Sequence, residues 1–466
     1  MPVRILNHYV HMQIFLLAVI ELCALIVGVY AGAYLRFAGD MSDVFDSIGA
    51  MWPRALFFCT VLMLSMTAMG LYHARMRPRR TGIAVRLIVS FLFGGGALVL
   101  LFYFFPSLYV GRGALALALI ISFLLISVVR VIFFTLVDER IFKRRILVFG
   151  AGEKAASILG LRRRSDRRGF TVVGFVRASE ADPMVESSRL IEPAGSLADY
   201  AYDNSIDEIV VAIDDRRRGV HIPDLLDCKL NGVRVTDALS FFERETGKVR
   251  LDLLYPSWLI YSDGFDRGAA QMFFTRLFDI VFSIMLLIFS LPIMIAVALA
   301  IKLEDGLRAP VLYRQQRVGF KGKVFNVLKF RSMMIDAERD GVAQWAQKND
   351  SRITRVGNVI RKYRFDELPQ IFNVLRNDMS FVGPRPERPS FVEELSEEIP
   401  YYSERHCVKP GITGWAQLCY EYGASQQDAL EKLQYDLFYV KNRTLLFDLM
   451  VMLQTAEVVL WKSGSR

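Results

Sequence analysis

The sequence contains few cysteines, and they are not arranged for a disulfide framework or a zinc site. Its 466 residues include five cysteines, an odd number, and no two of them form a Cys-x-x-Cys pair. Disulfides are typical of oxidising compartments, and structural zinc sites need closely spaced pairs of ligands. The pattern therefore argues against both, and it predicts that the soluble parts lie in a reducing compartment.

Several other features are missing. The sequence has no nucleic-acid-binding motif, no internal repeat and no low-complexity segment, so no nucleic-acid partner is expected. No cleavable signal peptide is evident, because the first apolar run is too long and lacks a small-residue cleavage site. That run is expected to be a retained anchor. The formal net charge of +9 then points to anionic lipid head groups or phosphate-bearing substrates.

Apolar residues, in contrast, are abundant. They make up 53% of the chain, a composition that soluble proteins rarely have. Four long apolar runs lie near residues 11–35, 54–72, 87–106 and 114–137. Each approaches the roughly 20 residues that a helix needs to cross a membrane. Residues 1–140 are therefore predicted to form a four-helix transmembrane block.

The charges between these runs predict their orientation. The loop after the first run is acidic, with Asp40, Asp43 and Asp46. The loop after the second run is basic, with Arg75, Arg77, Arg79, Arg80 and Arg86, and the segment after the fourth is also rich in basic residues. Because basic loops stay on the cytoplasmic side, both ends of the block are expected in the cytoplasm.

Residues 141–262 are predicted to form a cytoplasmic Rossmann-like α/β domain. Short buried strands are expected at 145–149, 170–176 and 208–213, with a helix after the first strand. Strands that alternate with helices at this spacing are typical of a parallel sheet. The basic run at 162–168 is interpreted as a solvated face.

A weak dinucleotide fingerprint lies in this domain. Gly150-x-Gly152-x-x-Ala155 has the spacing of the glycine-rich turn, but the acid expected after the second strand is absent. Arg177 stands near that point instead. The interpretation is a fold remnant that serves assembly or regulation.

A fifth apolar run lies between Arg276 and Lys302. A basic residue at each end favours keeping both ends on the cytoplasmic side. Pro292 removes a backbone hydrogen bond, and the hydroxyl of Ser290 can recapture a freed carbonyl. Residues 276–302 are therefore predicted to be a re-entrant helix–break–helix that enters and leaves on one face. On these residues alone, a proline-kinked spanning helix is an equal alternative.

Distinctive short motifs are concentrated between residues 302 and 417. They are Tyr313-Arg-Gln-Gln-Arg317-Val-Gly319, Lys329-Phe-Arg331-Ser-Met333, Asp366-Glu367-Leu-Pro369-Gln-Ile-Phe-Asn373, Asp378-Met-Ser-Phe-Val-Gly383-Pro-Arg385-Pro386 and Lys409-Pro-Gly411-Ile-Thr413-Gly414-Trp415-Ala-Gln417. Together they predict a site with paired carboxylates and many cations.

The paired carboxylates are Asp366 and Glu367. They are predicted at the start of a helix with Pro369 in its first turn, where acids commonly serve only as caps. Basic residues crowd the surrounding sequence: Arg317, Lys329, Arg331, Arg361, Arg364 and Arg385. Guanidinium groups bind phosphate oxygens in pairs, a helix N-terminus adds backbone donors, and carboxylates with substrate phosphates hold Mg²⁺. This setting favours a phosphate-binding site.

These motifs resemble those of the bacterial sugar transferases, the monotopic phosphoglycosyl transferases that act on polyprenyl phosphate. The resemblance covers about residues 270–466, and the preceding membrane block and α/β domain are similar to the large members of the family. Residues 254–264 resemble the exopolysaccharide branch associated with PEP-CTERM systems. An α+β monotopic catalytic domain over 263–466 is therefore implied. The family usually has Ser-Pro at the helix break, whereas this chain has Leu291-Pro292.

The resemblance implies a two-step reaction. Asp366 would attack the β-phosphate of a UDP-hexose, with glucose or galactose as the expected sugar, and UMP would leave. Undecaprenyl phosphate would then take the hexose-1-phosphate from the aspartyl intermediate. Asp366 and Glu367 are implied as ligands of a Mg²⁺ cofactor, with Glu367 assisting as ligand or base. The implied substrate-binding residues are Arg317, Lys329, Arg331, Arg364, Arg385, Gly411, Thr413 and Gly414.

The resemblance also implies a place in the cell. The protein would lie in the bacterial inner membrane as a homodimer, in contact with membrane lipid and with the site on the cytoplasmic face. It would initiate synthesis of an exopolysaccharide, capsule or O-antigen repeat unit, alongside other polysaccharide-assembly proteins.

Two other functions are weighed against this one. A membrane nucleotide-sugar dehydratase also combines membrane helices with an α/β domain, but its chemistry needs a Tyr-x-x-x-Lys pair. No lysine of this chain has a tyrosine four residues before it. A non-enzymatic scaffold or regulator of polysaccharide export with a degenerate transferase domain stays open, and loss of UMP release would favour it.

Overall fold

The structure is a computed structural model, and it describes most of the chain. The described residues are 2–5, 8–37, 50–72, 80–136, 143–161, 169–178, 184–193, 195–214, 222–255, 268–334, 352–420, 423 and 425–461. Most of the loop residues that predict the orientation, the basic run 162–168 and most of 254–264 lie outside these ranges. The contacts divide the chain into an N-terminal unit, Met1–Thr246, and a C-terminal unit, Gly247–Arg466.

The N-terminal unit begins with a β-hairpin and four long helices. These are β1 (Pro2–Ile5), β2 (His8–His11), α1 (Met12–Arg36), α2 (Met51–Ala68), α3 (Arg80–Phe104) and α4 (Arg112–Leu136). Each helix contains a segment long and apolar enough to cross a membrane. Large apolar side chains such as Leu92 and Tyr103 are exposed on their surface, as lipid contact requires. These helices have the length and composition predicted for membrane helices.

Helices α1 and α4 pack closely because small residues face each other. A Cβ atom added to Gly28 would lie 2.0 Å from Oγ of Ser122, and one added to Gly32 would lie 2.5 Å from the backbone nitrogen of Ala118. Glycines four residues apart allow helix backbones to approach in a membrane. A larger side chain at either position would push the two helices apart.

The rest of the N-terminal unit is a parallel α/β domain, as predicted. Its five parallel strands lie in the order β5-β4-β3-β6-β7. The strands are β3 (Arg144–Phe149), β4 (Phe170–Val176), β5 (Leu190–Ile191), β6 (Glu208–Val211) and β7 (Arg234–Asp237). The helices are α5 (Glu153–Leu159), α6 (Leu197–Asp203), α7 (Ile222–Leu230) and α8 (Ala238–Thr246). The two strands that were not predicted are too short or too polar to have an apolar signal.

The C-terminal unit combines one very long helix with small sheets and shorter helices. Its helices are α9 (Ala269–Asp305), α10 (Arg355–Lys362), α11 (Gln370–Leu375), α12 (Pro389–Glu398), α13 (Trp415–Cys419), α14 (Gln426–Asn442) and α15 (Leu445–Trp461). Its strands are β8 (Leu312–Val318), antiparallel to β9 (Val324–Phe330), and β10 (Ser380–Val382), parallel to β11 (Gly411–Thr413).

Helix α9 differs from the prediction at its centre. It runs through Pro292 as one helix of 37 residues, so the predicted break is not found as an end of the helix. A proline removes one backbone hydrogen bond, and the turns on either side keep theirs. The Ser290 hydroxyl donates to Sδ of Met294 at 3.7 Å, not to a freed carbonyl as predicted.

The second half of α9 supports the segment that contains the paired carboxylates. Val297 and Ile301 form a buried cluster with Phe330 of β9, and Phe365 and Leu368 pack against this cluster. Because Phe365 and Leu368 stand on either side of Asp366-Glu367 in the chain, their burial holds that pair at the surface of the cluster.

The first half of α9 contacts the same unit through polar groups. The Arg276 guanidinium donates to the carbonyls of Val374 at 2.7 Å and Leu375 at 2.8 Å, at the end of α11. The Asp279 carboxylate accepts from the hydroxyl of Ser380 at 3.0 Å and the N–H of Phe381 at 3.2 Å, in β10. Both halves of the long helix are thus attached to the C-terminal unit.

Candidate active site

Asp366 and Glu367 lie in a single 3₁₀ turn, Phe365–Glu367. The turn is entered through Arg364, whose φ of 57° is left-handed. Helix α11 begins only at Gln370, so the prediction that the pair opens a helix is wrong by one turn. The reason is local: the chain reverses at Arg364 and is in a tight turn when it reaches Pro369, where the α-helix can start.

The Glu367 carboxylate lies among cations. Its Oε1 accepts from Nη2 of Arg385 at 2.9 Å and from Nζ of Lys329 at 3.4 Å, and its Oε2 lies 4.0 Å from Nη1 of Arg364. Burial alone would raise the pKa of Glu367, but the charges of Arg385 and Lys329 outweigh it and hold that pKa far below its usual range. Glu367 is therefore ionised at neutral pH and is engaged in holding these cations.

Asp366 is shifted in the opposite direction. Burial and the neighbouring charge of Glu367 raise the pKa of Asp366, and Lys329 and Arg361 offset this only in part. Two adjacent carboxylates with pKa values pushed apart are typical of sites where each has a separate role. Asp366 is the carboxylate of the pair whose pKa is raised, so its negative charge is less stabilised by its surroundings than that of Glu367, which suits a nucleophile.

Lys329 is placed by the register of β9 against α11. The side chain of Asn373 in α11 accepts from the N–H of Leu328 at 2.9 Å and donates to the carbonyl of Asn326 at 2.7 Å. These two bonds fix the strand that carries Lys329 beside the turn that carries Glu367. Burial lowers the pKa of Lys329, while the negative charge of Glu367 opposes that shift.

Arg385 stands on a turn whose main chain is supported by glycines. The N–H of Gly411 donates to the carbonyl of Pro384 at 3.0 Å. A Cβ atom on Gly411 would lie 2.1 Å from the nitrogen of Gly383, and one on Gly414 would lie 2.3 Å from the oxygen of Gly383. Only glycine fits at these two positions, because any side chain would displace the turn that holds Arg385.

Comparison with known proteins places these motifs in a family. A family model described as bacterial sugar transferase matches residues 270–462, and one described as CoA-binding domain matches residues 67–225. An undecaprenyl-phosphate galactose phosphotransferase of Salmonella typhimurium is 30% identical over 341 residues, which are 70% of each chain. A UDP-glucose:undecaprenyl-phosphate glucose-1-phosphate transferase of Klebsiella pneumoniae is 34% identical over 325 residues, 67% of each chain.

This chain belongs to the bacterial sugar transferase family. Membership of this family, which the motifs indicated, is therefore confirmed. A UDP-N-acetylgalactosamine-undecaprenyl-phosphate N-acetylgalactosaminephosphotransferase of Aeromonas hydrophila is 41% identical over 242 residues. That match covers 52% of this chain and 56% of the relative, so the chain spans little more than half of that relative's length.

The other predicted substrate-binding residues have partners within the chain. Nη1 of Arg317 donates to the carbonyl of Pro386 at 3.1 Å, which adds support to the Arg385 turn. Arg331 is buried and paired with Asp305. The hydroxyl of Thr413 lies 2.7 Å from a threonine hydroxyl of α15. The structure thus brings Lys329, Arg364 and Arg385 to the carboxylate pair. For all the predicted residues, a role in binding substrate stays a prediction.

Three supporting contacts were missed by sequence reasoning. Asn373 lies inside a quoted motif, yet only the folded chain reveals its partners in β9. Asp279 is the one charge within the apolar run 277–301, which is a usable signal, because a carboxylate there needs buried donors. Arg276 was treated only as a flanking base.

The backbone N–H groups at the glycine-rich turn of the α/β domain already have a partner within the chain. The carboxylate of Asp214, just after β6, accepts from the N–H of Glu153 at 2.8 Å and of Lys154 at 2.9 Å. A Cβ atom on Gly152 would lie 1.8 Å from Oδ2 of Asp214. Backbone donors at this position of a Rossmann-like fold bind phosphate when they are free. In this chain the Asp214 carboxylate already accepts hydrogen bonds from them.

Of the two carboxylates, only Asp366 has surroundings that suit a hard cation such as Mg²⁺. Among the described ranges, no group of three or more His, Cys, Asp or Glu side chains lies close enough to hold a metal ion. Asp366 offers carboxylate oxygens of the kind that Mg²⁺ prefers. Glu367 already faces Lys329, Arg364 and Arg385, which disfavours another positive ion there.

Proposed function

We propose that this sugar transferase moves a hexose-1-phosphate from a UDP-sugar to undecaprenyl phosphate and releases UMP. The observation that carries the proposal is the position of Asp366 in the same turn as a Glu367 carboxylate that holds Lys329 and Arg385. Cations outnumber carboxylates around this pair, as a diphosphate substrate requires. The reaction would be the first membrane step in building a polysaccharide repeat unit, and the relatives named above have undecaprenyl phosphate in their names.

The proposed chemistry has two displacements at the same phosphorus. A carboxylate oxygen of Asp366 bonds to the β-phosphorus, and the bond to the oxygen that bridges the two phosphates breaks, so that UMP leaves with that oxygen and its electron pair. A phosphate oxygen of undecaprenyl phosphate then attacks, and the aspartyl–phosphorus bond breaks to regenerate the carboxylate. Lys329 and Arg385 stabilise the phosphate oxygens in both steps. Glu367 keeps these two cations in place.

We propose Asp366 as the protein ligand of Mg²⁺, together with phosphate oxygens of the substrate. The cation would neutralise phosphate charge. The donor chemistry of Asp366 supports this choice, and the three cations around Glu367 argue against Glu367 as a second ligand.

We further propose that both ends of α9 lie on the cytoplasmic face of the inner membrane, with the active site beside them. A straight helix of 37 residues would be about 55 Å long, well beyond the roughly 30 Å of a hydrocarbon core. Both the Arg276 end and the Ile301 end contact the C-terminal unit, which supports a re-entrant path bent near Pro292. The homodimer and the contacts with other assembly proteins stay predictions.

Cysteine labelling tests this path. In a variant without the native cysteines, Met272→Cys and Leu307→Cys should both be protected from an impermeant maleimide in intact cells. Both should react in inverted vesicles, because both positions are exposed and, on this proposal, cytoplasmic. Asp43→Cys in the predicted external loop is the control that should react in intact cells. Labelling of only one of the two helix ends in intact cells would mean that α9 spans the membrane.

UMP release tests the function. Purified protein should release UMP from one of UDP-glucose, UDP-galactose and UDP-N-acetylgalactosamine, the three sugars in the names of its relatives. Without undecaprenyl phosphate the amount should not exceed one UMP per chain, and with it release should continue. EDTA should stop release and Mg²⁺ restore it. No UMP from these or other UDP-hexoses would favour the scaffold function.

A shift in pH dependence tests the electrostatics of the pair. Asp366 must be ionised to attack, so kcat/KM should fall as the pH drops through its raised pKa. Glu367→Gln removes the neighbouring negative charge and leaves the cations, so it should lower the pKa of Asp366. The acid limb should therefore move to lower pH. An unchanged or upward-moving limb would show that Glu367 does not set the pKa of Asp366.

A further inference from the structure

A buried ion pair lies directly behind the turn that carries Arg385. Arg405 is 6% exposed and Asp436, in α14, is 2% exposed. Nη2 of Arg405 lies 2.7 Å from Oδ2 of Asp436, and Nη1 donates to the hydroxyl of Tyr402 at 2.6 Å. Nη2 also donates to the main-chain carbonyl of Arg385 at 3.0 Å.

Burying two charges is expensive, and such a pair is often no more stabilising than apolar residues of the same size. A local reason for its presence lies in what Arg405 touches. Its bond to the carbonyl of Arg385 connects it to the residue that binds Glu367 at 2.9 Å. Asp436, Arg405, Arg385 and Glu367 thus form a continuous chain of contacts.

The Arg385 turn needs this support. The proline rings fix the φ angles of Pro384 and Pro386. They do not fix the peptide plane between Arg385 and Pro386, whose orientation is given by the direction of the Arg385 carbonyl. The side chain of Arg385 is 34% exposed, and contact with solvent does not fix its conformation. The hydrogen bond from Arg405 sets the direction of that carbonyl, and hence the direction in which the Arg385 side chain leaves the turn.

We propose that Arg405 and Asp436 are positioning residues for Arg385 in the transfer reaction. The inference rests on the proposed function, because it assigns Arg385 to the phosphates. Arg405 does not reach the substrate; it acts by fixing the turn, and Asp436 fixes Arg405. A displacement of a binding group by about 1 Å is enough to cost a large part of the rate.

A double-mutant cycle separates this role from a general effect on the fold. Asp436→Asn keeps the shape of the side chain and should lower kcat for UMP release by roughly tenfold. In the Arg385→Ala background the same substitution should have almost no further effect, because the group it positions is gone. Arg405→Lys, which cannot bridge the same partners, should behave in the same way. Equal losses in both backgrounds would overturn the proposal.

Glu208→Gln is the matched control. Glu208 in β6 of the α/β domain is also a buried carboxylate, 0% exposed, and it pairs with Arg244 at 2.9 Å. It should lower activity by the same factor with and without Arg385. Thermal unfolding of every variant then shows which losses come from stability.

Measuring the Kd for UDP across the same double-mutant cycle separates the positioning role from the proposed function. If the parent chain binds UDP but releases no UMP from any UDP-sugar, the proposed function fails while the coupling of Asp436 to Arg385 is still measured. If Asp436→Asn weakens UDP binding only when Arg385 is present, and no UMP is released, the result supports the positioning role and not the proposed function. Additive losses in Kd would overturn it, whatever the chain catalyses.

Discussion

Asp366→Asn is expected to abolish UMP release, with a fall in kcat of roughly 10³-fold or more. The amide keeps the size of the side chain but has no negative charge with which to attack phosphorus. The Kd for UDP should stay unchanged or become tighter, because the substitution removes a negative charge that faces the phosphates. Single-turnover UMP release and UDP binding, measured on the same preparation, would check both parts.

Glu398→Gln is the control for this substitution. Glu398 is an exposed carboxylate at the end of α12, and the same change from acid to amide there should leave UMP release at the parent value. If Asp366→Asn kept a rate within about tenfold of the parent, a covalent aspartyl intermediate at this position would be excluded.

Arg385→Ala should give the second largest loss, with kcat/KM lowered roughly 10²- to 10³-fold. The guanidinium is the nearest cation to Glu367, at 2.9 Å, and in the proposed function it also binds the phosphates. Its removal takes away both interactions and leaves Lys329, at 3.4 Å, as the remaining close partner. Steady-state kinetics with varied UDP-sugar would give the loss.

Arg385→Lys should recover only part of this activity, because an ammonium group cannot bind two phosphate oxygens in the planar geometry of a guanidinium. Arg355→Ala serves as the comparison, since Arg355 is an exposed arginine of α10. An Arg385→Ala variant as active as Arg355→Ala would remove Arg385 from the site.

Much of the architecture could be predicted because its signals are local. A membrane helix is defined by about 20 consecutive apolar residues, and the four predicted runs coincide with α1 to α4. The strands β3, β4 and β6 are short buried runs followed by turns, so a single stretch of sequence is enough to indicate them. The family is likewise recognisable from contiguous motifs, of which Asp366-Glu367 and the Arg385 turn are the clearest.

The sequence by itself determined the membrane helices, the parallel α/β domain and the family of this protein. Only the tertiary structure decided which cations meet Glu367, that Arg331 pairs with Asp305, that Asp214 uses the donors of the glycine-rich turn, and that the pair lies one turn before α11. The physical reason is that each of these contacts depends on distance and burial between residues far apart in the chain. A run of apolar residues indicates what is buried, but a charged residue in a motif does not indicate which partner it will meet.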